Sequence, residues 1–191
     1  MSLFILAIGG TTRPNSSIEK ALRISLAAAA REGAETQLLG AADLALPLYA
    51  PENPERSPEA QRLVALVRRA DGVIIGSPGY HGTISGLMKN ALDYVEDLSK
   101  DERPYFSDRA VGCVAISYGW QAAVNTLSTL RVVVHALRGW PTPMGAACGS
   151  PTPIFDGEGN CTDTSAAFQL ETIGRQVVEF ARMRRPAGPA A

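Results

Sequence analysis

The chain has 191 residues and a mass of 20.2 kDa, which is enough for one well-buried domain and too little for two of ordinary size. It carries 18 basic and 19 acidic side chains and a formal net charge of -1, so charge gives no reason to expect nucleic acid or an anionic membrane as a partner. The near-neutral charge also fits poorly with a strongly acidic electron carrier.

The cysteines and the N-terminus indicate a cytoplasmic protein. Cys113, Cys148 and Cys161 are widely spaced, which argues against a disulfide framework and against a CxxC metal or redox pair. The apolar run Leu3–Ile8 is short and follows no basic segment, so we do not expect a signal peptide. No stretch approaches the roughly 20 apolar residues that span a bilayer.

The first part of the chain alternates strand and helix. Leu3–Ile8 is continuously apolar, which is typical of a central parallel strand covered on both faces. A polar loop, Gly9–Ser17, follows, and apolar residues then recur at helical spacing from Ile18 until Gly33. Glu35–Leu39 is predicted to be the second strand.

The middle of the chain repeats this pattern after a Pro-containing connection over residues 41–58. Ser57 is predicted to cap a helix that has Pro58 at its first position. The third strand is predicted over Gly72–Gly76, and a further helix with a broad apolar stripe begins near Ser85.

The last part adds two strands and two helices. Ala110–Ser117 is predicted to be a buried strand, and the helix Gln121–Arg138 is apolar around much of its girth, which suggests a subunit interface. A weak edge strand over Trp140–Gly145 contains two prolines, and a final helix covers Thr164–Arg185. We expect one domain over residues 1–185 and a disordered tail over residues 186–191.

The loop after the first strand has the groups that bind a phosphate dianion. It combines hydroxyls, an arginine and exposed backbone amides at a helix N-terminus. The side chains concerned are Thr11, Thr12, Arg13, Ser16 and Ser17.

An ordinary capped helix explains part of this loop, because Ser16 and Glu19 have capping-box spacing. A cap does not require Thr11, Arg13 and Ser17 as well, so phosphate binding is favoured. The loop is neither a Walker A sequence nor a GxGxxG fingerprint.

The loop after the third strand is suited to a planar heterocycle. Gly79 and Gly82 permit close backbone approach, while Tyr80 and His81 supply aromatic faces and polar tips. An ordinary strand-to-helix turn with surface aromatic side chains is the alternative, and His81 by itself is as consistent with packing as with proton donation.

The loop after the fourth strand offers an aromatic wall and a hydroxyl at the same sheet edge. Its residues are Ser117, Tyr118, Gly119 and Trp120, and an aromatic plug over the sheet end is an equal alternative. His135 lies within the apolar helix and is assigned a structural role, and Cys113 is expected to be buried and inert. No metal site is predicted.

Two of these loops resemble a known family. Residues 10–17, Gly-Thr-Thr-Arg-Pro-Asn-Ser-Ser, are similar to the Gly-Ser-x-Arg-x-x-Ser phosphate loop of NAD(P)H-dependent FMN reductases. Residues 77–93, which begin Ser-Pro-Gly-Tyr-His-Gly-Thr, closely resemble that family's second loop and the helix after it.

The resemblance implies an α/β fold of the flavodoxin-like type, a three-layer sandwich around a five-stranded parallel sheet in the order 2-1-3-4-5. It implies FMN with its phosphate on Thr11, Arg13, Ser16 and Ser17. The ring would lie against Pro78, Gly79, Tyr80, His81, Gly82 and Thr83, and against the third loop. Homodimers or homotetramers are common in the family, in agreement with the apolar helix Gln121–Arg138.

The chain departs from the family pattern at two places. Thr11 replaces the usual serine and keeps a hydroxyl. The third loop is usually Gly-Gly-rich, whereas here it contains Tyr118 and Trp120, whose bulk would narrow the space over the ring.

The function implied is that of an FMN-dependent NAD(P)H oxidoreductase that passes electrons to a small acceptor. The acceptor classes are free flavin, a quinone, an azo or nitro compound, or a metal oxyanion. The cofactor carries the redox chemistry, so the absence of an acid/base pair is no objection. Two alternatives stay open: a flavodoxin-type electron carrier, and an FMN-binding module without turnover.

Overall fold

The structure is a computed structural model and describes residues 2–184. The predicted tail over residues 186–191 lies outside the described residues. The described residues form six strands: β1 Phe4–Gly9, β2 Glu35–Leu39, β3 Gly72–Pro78, β4 Ala110–Ser117, β5 Trp140–Pro141 and β6 Ala146–Gly149. Five α-helices are described: α1 Ser17–Arg31, α2 Pro58–Arg69, α3 Gly86–Asp93, α4 Trp120–Ala136 and α5 Thr164–Arg184. Short 3-10 helices cover Ala42–Leu44 and Tyr94–Leu98.

The strands form one parallel sheet in the order β2-β1-β3-β4-β5, with β6 also paired to β4. This order confirms the predicted flavodoxin-like arrangement. Because all strands run in the same direction, the loops after β1, β3 and β4 leave at one edge of the sheet, where open α/β sheets bind ligands.

The sheet is covered on both faces, which explains the continuous apolar runs in its strands. Alternate side chains of β1 enter different cores: Phe4 and Leu6 pack with α2, α3 and α4, while Ile5 and Ala7 pack with α1 and α5. Strand β2 is less covered, since all but its last residue are exposed or half-buried. The result is the expected three-layer sandwich.

The flank of β4 differs from the single edge strand that the sequence predicts over Trp140–Gly145. Two short strands, β5 and β6, pair with the beginning and the end of β4, and the chain between them leaves the sheet. Pro141 and Pro143 lack the N–H that a continuous ladder needs. Arg131 of α4 stabilises the detour by donating to the carbonyls of Thr142 and Pro143, each at 3.0 Å.

Helix α4 begins at Trp120, one residue before the predicted start, and ends at Ala136. Its inward residues are buried: Ala123, Thr126, Leu130 and Val134. On its outer side, Val124 is 39% exposed and Val132 is 68% exposed. Some of the apolar residues of this helix are therefore buried against the sheet, and others are exposed on its outer side.

Over residues 2–184, no helix combines the length and the apolar character needed to cross a membrane.

Candidate functional site

A cavity of about 350 Å³ lies at the carboxyl ends of β1, β3, β4 and β6. All three predicted loops contribute side chains to it. The predicted site residues that line it are Thr11, Arg13, Ser16, Ser17, Pro78, Tyr80, Ser117 and Tyr118.

A fourth wall of the cavity comes from the segment after β6, which the sequence reasoning missed. The residues of this wall are Ser150, Pro151, Thr152, Pro153 and Ile154; Ile18 of α1, Ile116 of β4 and Cys148 of β6 also line the cavity. Ser150 is joined to the third loop, since its amide donates to the Ser117 carbonyl at 3.2 Å. Its hydroxyl also accepts from the Thr152 amide at 3.2 Å, which gives the wall a defined local turn.

The remaining predicted residues, Gly79, His81, Gly82, Thr83, Gly119 and Trp120, lie near the cavity without lining it. Residues 80–83 form a tight turn, in which the Tyr80 and Thr83 backbones exchange hydrogen bonds of 3.0 and 3.2 Å. His81 and Gly82 at its tip have φ angles of 52° and 87°. Glycine is favoured at the second of these because side chains strain this region of φ.

Position 79 has no room for a side chain because helix α4 lies close to its backbone. A Cβ atom there would lie 2.8 Å from the Thr126 hydroxyl oxygen and 3.1 Å from the Ala122 carbonyl of α4. The expected close approach at Gly79 is therefore made by a helix of the same chain.

Trp120 packs over the end of β6. A Cβ atom on Gly149 would lie 2.4 Å from the Trp120 Cα and 3.0 Å from its indole ring. Tyr118, by contrast, is 78% exposed and lines the cavity. The two bulky residues of the third loop thus have different positions, and Tyr118 stands at the mouth.

The phosphate loop is held by a modified capping box. The Ser16 hydroxyl accepts from the Glu19 amide at 3.3 Å, as expected for an N-cap. Glu19 reaches back one residue further than in the standard motif, accepting from the Asn15 amide at 2.9 Å. Its other carboxylate oxygen accepts from the Ala41 amide at 3.0 Å, which ties the loop to the connection after β2.

The donors at this end of the cavity fit a phosphate group. Arg13 is exposed and forms no ion pair within residues 2–184. The amides of Ser17 and Ile18 lie in the first turn of α1, where a helix has no internal acceptor for them. The Thr11 hydroxyl donates to the Arg13 carbonyl at 3.0 Å and so shapes the loop beside the arginine.

Cys113 and Cys148 are buried and are not poised for thiol chemistry. Burial raises the pKa of Cys148, which lines the cavity, to about 11, and that of Cys113 to about 12. Both thiols are therefore protonated at neutral pH. Residues 2–184 contain no group of three or more His, Cys, Asp or Glu side chains arranged to hold a metal ion.

The cavity as a whole suits an elongated ligand with two unlike ends. One end presents an arginine, hydroxyls and helix N-terminal amides, and the other presents proline, isoleucine and tyrosine side chains. The donor set of the first end and the apolar and aromatic side chains of the second fit the phosphate and the ring of FMN.

Comparison with solved structures shows that the fold is shared with flavin enzymes. FerB, a flavoenzyme NAD(P)H:(acceptor) oxidoreductase from Paracoccus denitrificans, has a TM-score of 0.76 at 19% identity, covering 95% of this chain and 98% of FerB. An NADH:FMN oxidoreductase, EMOB in its apo form, has a TM-score of 0.70 at 19% identity, covering 98% and 92% of the two chains.

Curated relatives match part of the chain at higher identity. The NADPH azoreductase of Bacillus sp. strain OY1-2 is 39% identical over 87 residues, 45% of this chain and 46% of the relative. The FMN-dependent NADPH-azoreductase of Staphylococcus aureus strain USA300 is 37% identical over 113 residues, 58% of this chain and 56% of the relative. The matched region thus spans about half the length of these relatives.

The family model for NADPH-dependent FMN reductase matches residues 3–150, which include the three predicted loops and end at the first residue of the fourth wall. The chain therefore belongs to the NADPH-dependent FMN reductase family.

Proposed function

We propose that the protein is an FMN-dependent NAD(P)H oxidoreductase that reduces a small acceptor. The observation that carries this proposal is the cavity that joins phosphate-type donors to apolar and aromatic side chains at the edge of a flavodoxin-like sheet. Residues 1–185 act as one FMN-binding domain in this reading. When bound, FMN supplies the redox chemistry, accepting hydride from NAD(P)H and passing electrons on.

The first loop binds the phosphate of the cofactor. Arg13 neutralises its charge with a guanidinium that has no competing carboxylate within the described chain. Ser16 and Ser17 add hydroxyls, Thr11 can donate to the phosphate once its hydroxyl turns away from the Arg13 carbonyl, and the positive end of α1 adds to the potential. Ser16 can serve both the helix and the ligand, because its oxygen accepts from Glu19 while its hydrogen is free to donate.

The second and third loops hold the ring. Pro78 and Ile116 form part of the cavity wall, and Tyr80 and Tyr118 border it with aromatic faces. The turn at His81 and Gly82 offers backbone groups beside these side chains, and Gly79, Thr83, Gly119 and Trp120 support the loops. The chain's own contribution is to bind and orient two reactants, which places them for transfer without an acid/base side chain.

Azo compounds, quinones and free flavin are the acceptor classes we propose. Two similar relatives carry the name NADPH azoreductase, which supports NADPH as donor and an azo compound as one acceptor. Tyr118, which lines the cavity and is largely exposed, would narrow the space over a bound ring, and this would favour flat acceptors.

We further propose that the protein is a cytoplasmic homodimer or homotetramer. Support comes from the outer side of α4, where Val124 and Val132 are exposed; Trp120, about one turn before Val124, is 61% exposed. Apolar side chains gathered on one helix face are typical of a surface that another subunit covers.

Steady-state turnover tests the proposed function. Without oxygen, the protein loaded with FMN should oxidise NADPH beyond one equivalent per flavin only when an acceptor is added, and an azo dye, a quinone and added free FMN should be compared at equal concentration. Turnover with at least one acceptor, above the rate of FMN alone, is expected. Binding of FMN without turnover on any acceptor would favour an electron carrier instead.

A further inference from the structure

The loop that follows β3 is closed at its base by two buried serines. Ser77 is 0% exposed and Ser85 is 3% exposed. The Ser85 amide donates to the Ser77 hydroxyl oxygen at 2.9 Å, and that hydroxyl donates to the Pro78 carbonyl at 2.9 Å. The two ends of the second loop are therefore joined beneath Tyr80 and its neighbours.

The side chain of Ser85 also reaches the phosphate loop. Its hydroxyl donates to the Gly10 carbonyl at 2.8 Å and accepts from the Met88 amide at 3.1 Å, the second contact being the N-cap of α3. Gly10 in turn donates to the Gly76 carbonyl at 2.9 Å. One hydroxyl thus connects the beginning of the first loop, the end of the second loop and the start of a helix.

Gly10 is pressed against this junction. A Cβ atom on Gly10 would lie 2.6 Å from the Met88 Cβ and 3.0 Å from the Ser85 hydroxyl oxygen. The first loop therefore leaves the sheet in direct contact with α3, and its position depends on where that helix starts.

We propose that Ser85 is a positioning residue that fixes the phosphate subsite relative to the ring subsite. This inference rests on the proposed function, in which the first loop binds the FMN phosphate and the second loop binds its ring. Ser85 is not one of the residues that line the cavity. It acts through Gly10 and the phosphate loop.

The physical reason is that FMN is a two-ended ligand whose ring and phosphate are joined by a short ribityl chain of limited reach. Once the ring is bound, the phosphate meets its subsite at a high effective concentration only when the two subsites are held at the matching separation. Holding the loops before binding also lowers the ordering cost. Loss of the Ser85 link should therefore reduce the advantage of FMN over riboflavin, which has the same ring and no phosphate.

A serine that only caps a helix should not affect the preference for FMN over riboflavin. Ser57 caps α2 in the same manner, accepting from the Ala60 amide at 3.3 Å, but forms no bond to any of the cavity loops. Ser57→Ala is therefore a matched control for loss of a serine cap without loss of the link between subsites.

The test measures the dissociation constants of FMN and riboflavin by quenching of flavin fluorescence for the wild type, Ser85→Ala, Ser85→Gly, Ser85→Thr and Ser57→Ala. Glycine is tolerated at an N-cap better than alanine, so Ser85→Gly keeps the helix start while removing the link. Threonine retains a hydroxyl that can both donate and accept.

We expect Ser85→Ala and Ser85→Gly to lower the ratio of riboflavin to FMN dissociation constants about tenfold, while Ser85→Thr and Ser57→Ala leave it within twofold of wild type. Equal weakening of both ligands in the Ser85 variants would overturn the proposal and leave Ser85 as a cap. A wild-type ratio near one would contradict the phosphate subsite itself, and with it both the proposed FMN site and this inference.

Discussion

At the scale of single residues, Arg13 and Glu19 divide the work of the phosphate loop. Arg13 is exposed and available to an anion, whereas the Glu19 carboxylate is buried and holds the amides of Asn15 and Ala41. The hydrogen bonds of Glu19 thereby fix the conformation of the loop, in which Asn15 has a φ of 53°. In the proposed site, Arg13 would bind the phosphate and Glu19 shapes the loop, so the two tasks fall to side chains of opposite charge.

Arg13→Ala should weaken FMN binding by about 1.5 to 3 kcal/mol, the usual range for a hydrogen bond to a charged group. Riboflavin binding should change little, because that ligand has no phosphate. Both constants can be measured by fluorescence titration, with Arg175→Ala as the control, since Arg175 lies on α5 and pairs with Glu171. An unchanged FMN constant in Arg13→Ala would exclude this role.

At the scale of elements, helices α1 and α5 can approach closely because α5 has a glycine, Gly174, at their contact. A Cβ atom on Gly174 of α5 would lie 2.1 Å from the Ser25 carbonyl oxygen of α1. The Ser25 hydroxyl donates across the same contact to the Leu170 carbonyl at 2.8 Å. The two helices approach closely here and together cover one face of the sheet.

Gly174→Ala should therefore lower the free energy of unfolding by at least about 1 kcal/mol, although alanine is the better helix former by a similar amount. Gly157→Ala is the control, because a Cβ atom there meets nothing within 4 Å. Urea denaturation measures both variants. Stability equal to wild type in Gly174→Ala would mean that the helices can separate at no cost.

The elements also show what sequence patterns can and cannot predict. Strands β1, β2 and β4 were predictable because local apolar runs and turn signals mark them. Strand β6 was missed because Ala146–Gly149 is short and consists of small residues, which give no strand pattern. Its pairing with β4 is non-local. The fourth wall of the cavity was missed with it, since Ser150–Ile154 is placed by that pairing.

The same limit applies to individual site residues. The motifs of the first and second loops predicted Thr11, Arg13 and Pro78 at the cavity, because each lies within a local pattern of loop and helix start. The link from Ser85 to Gly10 joins residues 75 positions apart, and no local pattern marks it. The sequence also could not show that Tyr118 and Trp120 have different positions, because Trp120 packs against Gly149, which is distant in the chain.

At the scale of the whole molecule, the outer face of α4 links the proposed assembly to the site. Trp120 begins this helix at the end of the third loop, and Val132 lies three turns further along the chain. A subunit seated on this face would lie close to the cavity mouth and to Tyr118. Assembly and acceptor access would then be related.

Val132→Asp should convert the proposed oligomer to monomers, because it places a charge in an apolar contact. Phe168→Asp is the control, since Phe168 is 60% exposed on α5 and should not affect this face. Sedimentation velocity at micromolar protein measures the outcome. A monomeric wild-type protein would contradict the assignment.

The most direct test of the central claim is an anaerobic absorbance titration of the protein reconstituted with FMN, adding NADPH and, in a parallel sample, NADH. The account predicts that the oxidised flavin band disappears faster than it does for free FMN, and that the faster donor identifies the physiological nucleotide. Tight FMN binding with no loss of the band under either nucleotide would contradict the oxidoreductase claim, and failure to bind FMN would contradict the site itself.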